Sequence, residues 1–302
     1  NLVAEAARRK PDAAILIDFP DFNLRLAREL HNLGIPVFYF VSPQIWAWRT
    51  GRVEQIKKYV RKMIVIFPFE QEFYRKHGVD VTYVGHPLAH IPTPDVSRPE
   101  FAARYGLDPA KQWIALLPGS RRKELTLNLP AMLEAAKQLQ GEGGYEFAIP
   151  VASTLDPEWV RQQLARSKVI VHLTDEARTT MALSRASIVA SGTATVEAAL
   201  SGTPFVVVYR LAPATWALGR HLVKLDTFAM ANLIAGKKIV PELIQHHFTA
   251  ETVLRELKRI IPDGPARTQM QQDLLAVRDK LRQAESPEPP SVRAAKTILT
   301  AL

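Results

Sequence analysis

The chain has 302 residues, 47% hydrophobic and 23% charged, a balance that excludes a disordered tail or a fibrous repeat and leaves room for two domains. It has no cysteine, which removes disulfide frameworks, thiolate metal sites and thiol nucleophiles and suits a reducing compartment such as the cytosol. The 39 Lys and Arg against 30 Asp and Glu give a formal charge of +9, so an anionic partner is expected among phosphorylated metabolites, anionic lipids and nucleic acids.

The first ten residues read as a polar, Ala- and Arg-rich helix without the apolar stretch of a secretory signal, and since the chain opens on Asn1 its natural start is expected upstream. No apolar run approaches the roughly 20 residues of a membrane span. Residues 13–17 are the first short apolar run, read as a buried strand. A helix follows, with Phe22, Leu26, Leu30 and Leu33 on one stripe and Gly34 and Pro36 ending it. Between strand and helix, Asp18 falls at the strand's carboxyl end. Burial beside Phe19 is expected to raise its pKa toward that of a working general base, although a loop acid bonded to backbone amides fits the same position. Asp21 reads as the helix cap.

A second strand over 37–41 runs into Trp46, Trp48 and Arg49, two indoles in a strand-end loop that reads as a binding wall or as core. Residues 49–62 carry six cations against Glu54, with Val53, Ile56 and Val60 at helical spacing. We read them as an amphipathic helix whose basic face is solvated or drawn to an anionic surface. Strands are expected over 63–67 and 81–84, the latter closed by Gly85, His86 and Pro87; a lone His is more often structural than catalytic. Prolines 92, 94 and 99 then mark a linker, so the first domain is placed at 1–91.

Strands over 114–117, 147–151, 169–173, 188–190 and 205–209 alternate with helical patterns, which argues parallel α/β sheets in both halves. After the first of these, Gly119, Ser120 and Arg121 precede a helix expected near Glu124. Backbone amides, a hydroxyl, a helix N-terminus and a guanidinium make a plausible pyrophosphate clamp, and an ordinary strand-to-helix turn accounts for the same residues. Ser191, Gly192 and Thr193 form a second such turn, with Glu197 one turn into its helix, either as a ribose-hydroxyl acceptor or as a first-turn acid complementing the dipole behind a Thr193 cap. Open α/β sheets bind ligands at this edge.

Beyond residue 209 only helices are expected. Met270, Leu274, Val277 and Leu281 form one stripe, residues 286–290 a stiff break, and the rest a closing helix that packs back on the first domain. The second domain is thus 92–285 and the closing helix 286–302. His246 and His247 are adjacent and cannot chelate from one helix face, so no metal and no cofactor is expected. Triad, dinucleotide and P-loop signatures are missing, which lowers hydrolase and dehydrogenase readings.

The segments 17–23 (IDFPDFN), 41–49 (VSPQIWAWR), 84–87 (VGHP), 116–121 (LLPGSR), 190–194 (ASGTA) and 232–236 (NLIAG) resemble lipid-A-disaccharide synthase over nearly the whole chain. The tryptophan segment and the Pro-Gly-Ser-Arg turn are specific to that family. The resemblance implies a GT-B fold, two Rossmann-like parallel-sheet domains facing across a cleft, with the first domain incomplete at its N-terminus because the family's first strand and glycine-rich loop lie upstream of where this chain begins. It implies an inverting, metal-independent transfer of diacylglucosamine from its UDP derivative to 2,3-diacylglucosamine 1-phosphate, forming a β-1,6 disaccharide and UDP, at the inner face of the cytoplasmic membrane. Asp18 would be the base, Arg121 the diphosphate ligand, Asn232 a donor-site residue despite Ala231 where the family usually has proline, and Trp46, Trp48 and Arg49 the acceptor or membrane side. Other readings are a UDP-N-acetylglucosamine 2-epimerase, a muramyl-lipid glycosyltransferase, or a basic nucleic-acid-binding module. The tryptophan segment argues against the first two, and no nucleic-acid-reading motif supports the third, so no nucleic-acid partner is expected. The oligomeric state is not legible.

Overall fold

The computed structural model of the protein describes residues 2–48, 50–92, 95–212, 216, 227–282 and 287–302. Their compact units are two, one formed by described residues of 1–91 and 279–302, the other by those of 92–220 and 226–278. The return to the first unit comes earlier than residue 286, at Asp279, because Tyr83 Oη donates to the carbonyl of Lys280 at 2.7 Å and the His86 amide to that of Leu281 at 3.0 Å.

The first unit carries four parallel strands in sequential order: β1 (Ala14–Ile17), β2 (Val37–Phe40), β3 (Lys62–Val65) and β4 (Val81–Tyr83). Consecutive side chains alternate between faces. Tyr39, Met63 and Val65 therefore join Leu24, Leu30 and Ile56 of the covering helices on one side. Phe38, Ile64 and Val84 meet Ala294 and Ile298 of the closing helix Pro290–Ala301 on the other. Among the described strands β1 lies at the sheet's margin: Leu16 is buried, while Ile15 and Ile17 are 52% and 57% exposed.

The basic stretch is not one helix. The chain forms short helices Ile45–Trp48, Thr50–Arg52 and Val53–Tyr59, then turns into β3, so Lys62 lies in a strand and pairs with Asp80 at 2.9 Å. Val60, a β-branched residue in extended conformation, ends the last of these helices. Nor does Asp21 cap its helix, which starts at Pro20 with left-handed Phe19 before it. Asp21 instead pairs with Arg52 at 2.5 Å.

The second unit has six parallel strands: β5 (Gln112–Leu117), β6 (Tyr145–Pro150), β7 (Val171–Thr174), β8 (Ala186–Ala190), β9 (Phe205–Tyr209) and β10 (Glu242–Ile244). Their order is β10-β9-β8-β5-β6-β7. Ile114, Ala115, Ile188, Val189, Val206 and Val207 are fully buried, as central strands covered on both faces require. Strand β10 contradicts the expectation of helices alone after residue 209. Only Leu243 of its three residues is buried, and at the sheet's margin it adds to β9 without the apolar run that marks a central strand. No helix among the described residues is long and apolar enough to cross a membrane.

Candidate active site

The chain builds β5, β6 and β7 outward in one direction, then returns to place β8 against the other side of β5. Loops leaving β5 and β8 diverge at this reversal, and the crevice outside their carboxyl ends is where open parallel sheets bind ligands. A recess of about 570 Å³ lies there, walled by the loops after β5, β6, β7 and β8 and by Tyr209 at the end of β9. It gathers Gly119, Ser120, Arg121, Ser191, Gly192, Thr193 and Glu197, two segments some 70 residues apart in sequence.

The first turn is tightly specified. Gly119 has φ +124, and a Cβ there would stand 2.6 Å from Glu124, so no side chain fits. Glu124 takes the Ser120 amide at 3.0 Å and the Arg121 guanidinium at 2.8 Å. Buried Asn128 receives nothing from solvent: its Nδ2 donates to the Pro118 carbonyl at 2.9 Å, and its Oδ1 accepts the Arg210 amide at 3.1 Å, fastening this turn to the chain beyond β9. The helix Arg122–Glu142 starts immediately, one residue pair earlier than expected, and aims its positive end at the recess. Arg121 itself is 80% exposed at its side chain. An ion pair so exposed is worth about 0–1 kcal/mol, so exchanging Glu124 for a phosphate costs little.

Across the recess, the helix Ala194–Ser201 begins beyond Gly192. Thr193 makes no side-chain cap; Thr195 instead donates its hydroxyl to the Gly192 carbonyl at 2.7 Å, leaving the Thr193 hydroxyl outside the helix's own bonding. Burial raises the pKa of Glu197, an effect opposed by nearby Arg178. Burial also raises that of Tyr209, with the Glu124 charge adding and the Arg121 charge subtracting. Sequence reading missed Glu124, Asn128 and Tyr209. Only Glu124 left a local signal, an acid in the first turn of a helix.

Asn232 does not line the recess. It is 1% exposed, donates to the Val240 carbonyl at 2.9 Å and to Glu242 at 2.6 Å, and accepts the amides of Ile239 and Val240 at 2.7 and 2.9 Å. All its bonding capacity brackets the approach to β10. Replacing Asn232 with Ala is expected to lower stability by about 3 kcal/mol, because several buried partners lose their mate at once. Urea unfolding checks this; a loss within about 0.5 kcal/mol, typical of surface positions, would contradict it.

In the first unit, the carboxyl ends of β1 and β2 are strained. Asp18, Phe19 and Val41 have φ of 49°, 45° and 64°, a left-handed region that a β-branched valine rarely enters. Asn23 Nδ2 holds the first turn by donating to the carbonyls of Ile17 and Asp18 at 3.0 and 2.7 Å, and Tyr39 Oη donates to Asp18 O at 2.6 Å. Such clusters mark functional sites. Asp18 is exposed, and Phe19 beside it is 69% exposed. Trp46 is half-buried, its indole N–H donated to Glu70 at 3.2 Å. The Trp48 side chain and Arg49 lie outside the described residues. Buried His86 accepts the Leu88 amide at 3.2 Å and is pushed down to about 4 by burial, a structural setting. Among the described residues no group of three His, Asp or Glu stands ready for a metal ion.

Two open parallel sheets, the second in the order typical of dinucleotide-binding folds with a recess at its reversal, give the chain a fold of the GT-B type. Among solved structures, the glycotransferase of kitacinnamycin matches with a TM-score of 0.65 over 100% of this chain and 78% of its own, at 16% identity, a likeness of fold alone. The family model for lipid-A-disaccharide synthetase matches residues 1–295. The lipid-A-disaccharide synthase of Koribacter versatilis is 54% identical across 99% of this chain and 78% of its own length; that of Acidobacterium capsulatum is 53% identical across 90% and 71%. The chain belongs to the lipid-A-disaccharide synthase family.

Proposed function

We propose that the protein transfers diacylglucosamine from UDP-2,3-diacylglucosamine to the 6-hydroxyl of 2,3-diacylglucosamine 1-phosphate. The acceptor oxygen bonds to the donor's anomeric carbon as the bond to the diphosphate breaks, leaving the β-1,6-linked disaccharide 1-phosphate and UDP. A single base and a cationic grip on the leaving group meet the needs of such an inversion. Asp18 takes the hydroxyl proton. Arg121 forks onto the diphosphate, helped by the Gly119 amide and by the two helix N-termini. Ser191, Gly192 and Thr193 supply small polar groups on the opposite wall, and Glu197 accepts from the ribose hydroxyls. Trp46, with Trp48 and Arg49, belongs to the acceptor side. The protein works in the cytoplasm, peripherally on the inner face of the membrane, where its charge of +9 draws it to anionic lipid.

The observation that carries this reading is the convergence of both glycine turns and Glu197 on one recess of about 570 Å³, ample for a nucleoside diphosphate. UDP at a hundredfold excess over its Kd stabilises a protein that binds it by about 2.7 kcal/mol, a rise of several degrees in Tm. Uridine alone is expected to do far less, because the grip falls on the phosphates. No shift with millimolar UDP would remove the donor assignment.

A further inference from the structure

Glu70 is a buried carboxyl that the transfer reaction leaves unused. It is 1% exposed and sits third in the helix Pro68–Lys76, which follows β3. Its oxygens accept the Trp46 indole N–H and the Phe67 amide, both at 3.2 Å, with the Ser42 hydroxyl alongside. One turn further on, at the i+4 position, Tyr74 Oη lies 2.8 Å from Ser42 Oγ. One helix face thus anchors both the start and the middle of the loop leaving β2, the loop that opens on left-handed Val41. Phe69 meets the Trp46 ring edge-on at 4.9 Å and stacks on Phe67 at 5.6 Å, so the indole is fixed by its N–H and by a neighbouring ring while remaining half exposed at the sheet's carboxyl edge. Burial pushes the Glu70 carboxyl up to about 8, opposed by the hydrogen bonds it accepts from Trp46 and Phe67.

We propose that Glu70 is a positioning residue for the acceptor: by taking the indole N–H it orients Trp46 as a flat wall against which the acceptor's sugar ring packs. An oriented aromatic face with its polar tip satisfied is the form in which proteins hold the apolar face of a small ligand. The inference rests on the reading above that this edge serves the acceptor.

The test is a double-mutant cycle in the full-length enzyme, reading KM for each substrate and kcat. Trp46→Phe keeps a ring but removes the N–H, and Glu70→Ala removes its acceptor. Each is expected to raise the acceptor KM about tenfold, the scale of one buried hydrogen bond, with donor KM unmoved. The double variant is expected to be no worse than Glu70→Ala alone, because Trp46→Phe then cuts a link already lost. Glu70→Gln, whose amide oxygen still accepts the indole N–H, is expected to recover most of the loss. Independent, multiplying losses, a change confined to kcat or a shifted donor KM would each overturn the proposal. Where Glu70→Ala fails to fold, the acceptor KM of Glu70→Gln and of Trp46→Phe decides it: a loss in Gln as large as in Phe contradicts the link. Wild-type enzyme inert toward the two diacyl sugars would strike the functional reading itself, whereas an active enzyme whose acceptor KM ignores Trp46 strikes this inference alone.

Discussion

Replacing Asp18 with Asn in the full-length enzyme is expected to lower kcat about 10²- to 10⁴-fold, the range that a positioned general base contributes. Asn is the informative choice because the backbone at this position is left-handed, with φ 49°, and Asn enters that region as readily as Asp. The carbonyl bonds from Asn23 and Tyr39 go to the backbone of Asp18, not to its carboxyl, so the turn survives the exchange. Loss of rate with an unchanged melting temperature and unchanged UDP affinity is therefore the signature of a lost proton acceptor. Turnover near the wild-type value would remove Asp18 from that role and point to another group at this edge.

How the strands and the recess showed in the sequence has a local cause. Central parallel strands are apolar on both faces, so β2, β5, β6, β8 and β9 stood out as runs, and a glycine turn between such a run and a helix is a signature confined to a few residues. Strand β10 lacked the run because only its middle residue is buried. The basic stretch misled because cations at helical spacing carry no signal for where a helix breaks into a strand. Strand β1 was read as buried on both faces from its apolar run, but such a run does not say which neighbours cover it: Leu16 is buried while Ile15 and Ile17 are exposed. Asn232 matched a family motif, and its true setting depends on Glu242 and the carbonyl of Val240, which meet it only once the chain has folded. Glu70 sat in a visible pattern, proline at the first helical position and an acid at the third, but its indole partner lies 24 residues earlier.

Arg121→Ala is expected to lower kcat/KM about 10²- to 10³-fold and to abolish most of the thermal shift caused by UDP, since the lost guanidinium faces the charge that grows on the leaving diphosphate. The fold gives a reason to expect little else to change: the side chain is 80% exposed, its described ion-pair partner is Glu124, and the turn beneath is held by Gly119, Asn128 and the Ser120 amide. Arg121→Lys separates charge from shape. A lysine restores the positive charge but not the planar fork that grips two phosphate oxygens at once, so partial recovery of UDP binding with a persistent deficit in kcat is expected. Full activity in Arg121→Lys would mean that field strength alone suffices at this position. Full activity in Arg121→Ala would mean that the helix N-termini and backbone amides of the recess stabilise the departing diphosphate without it.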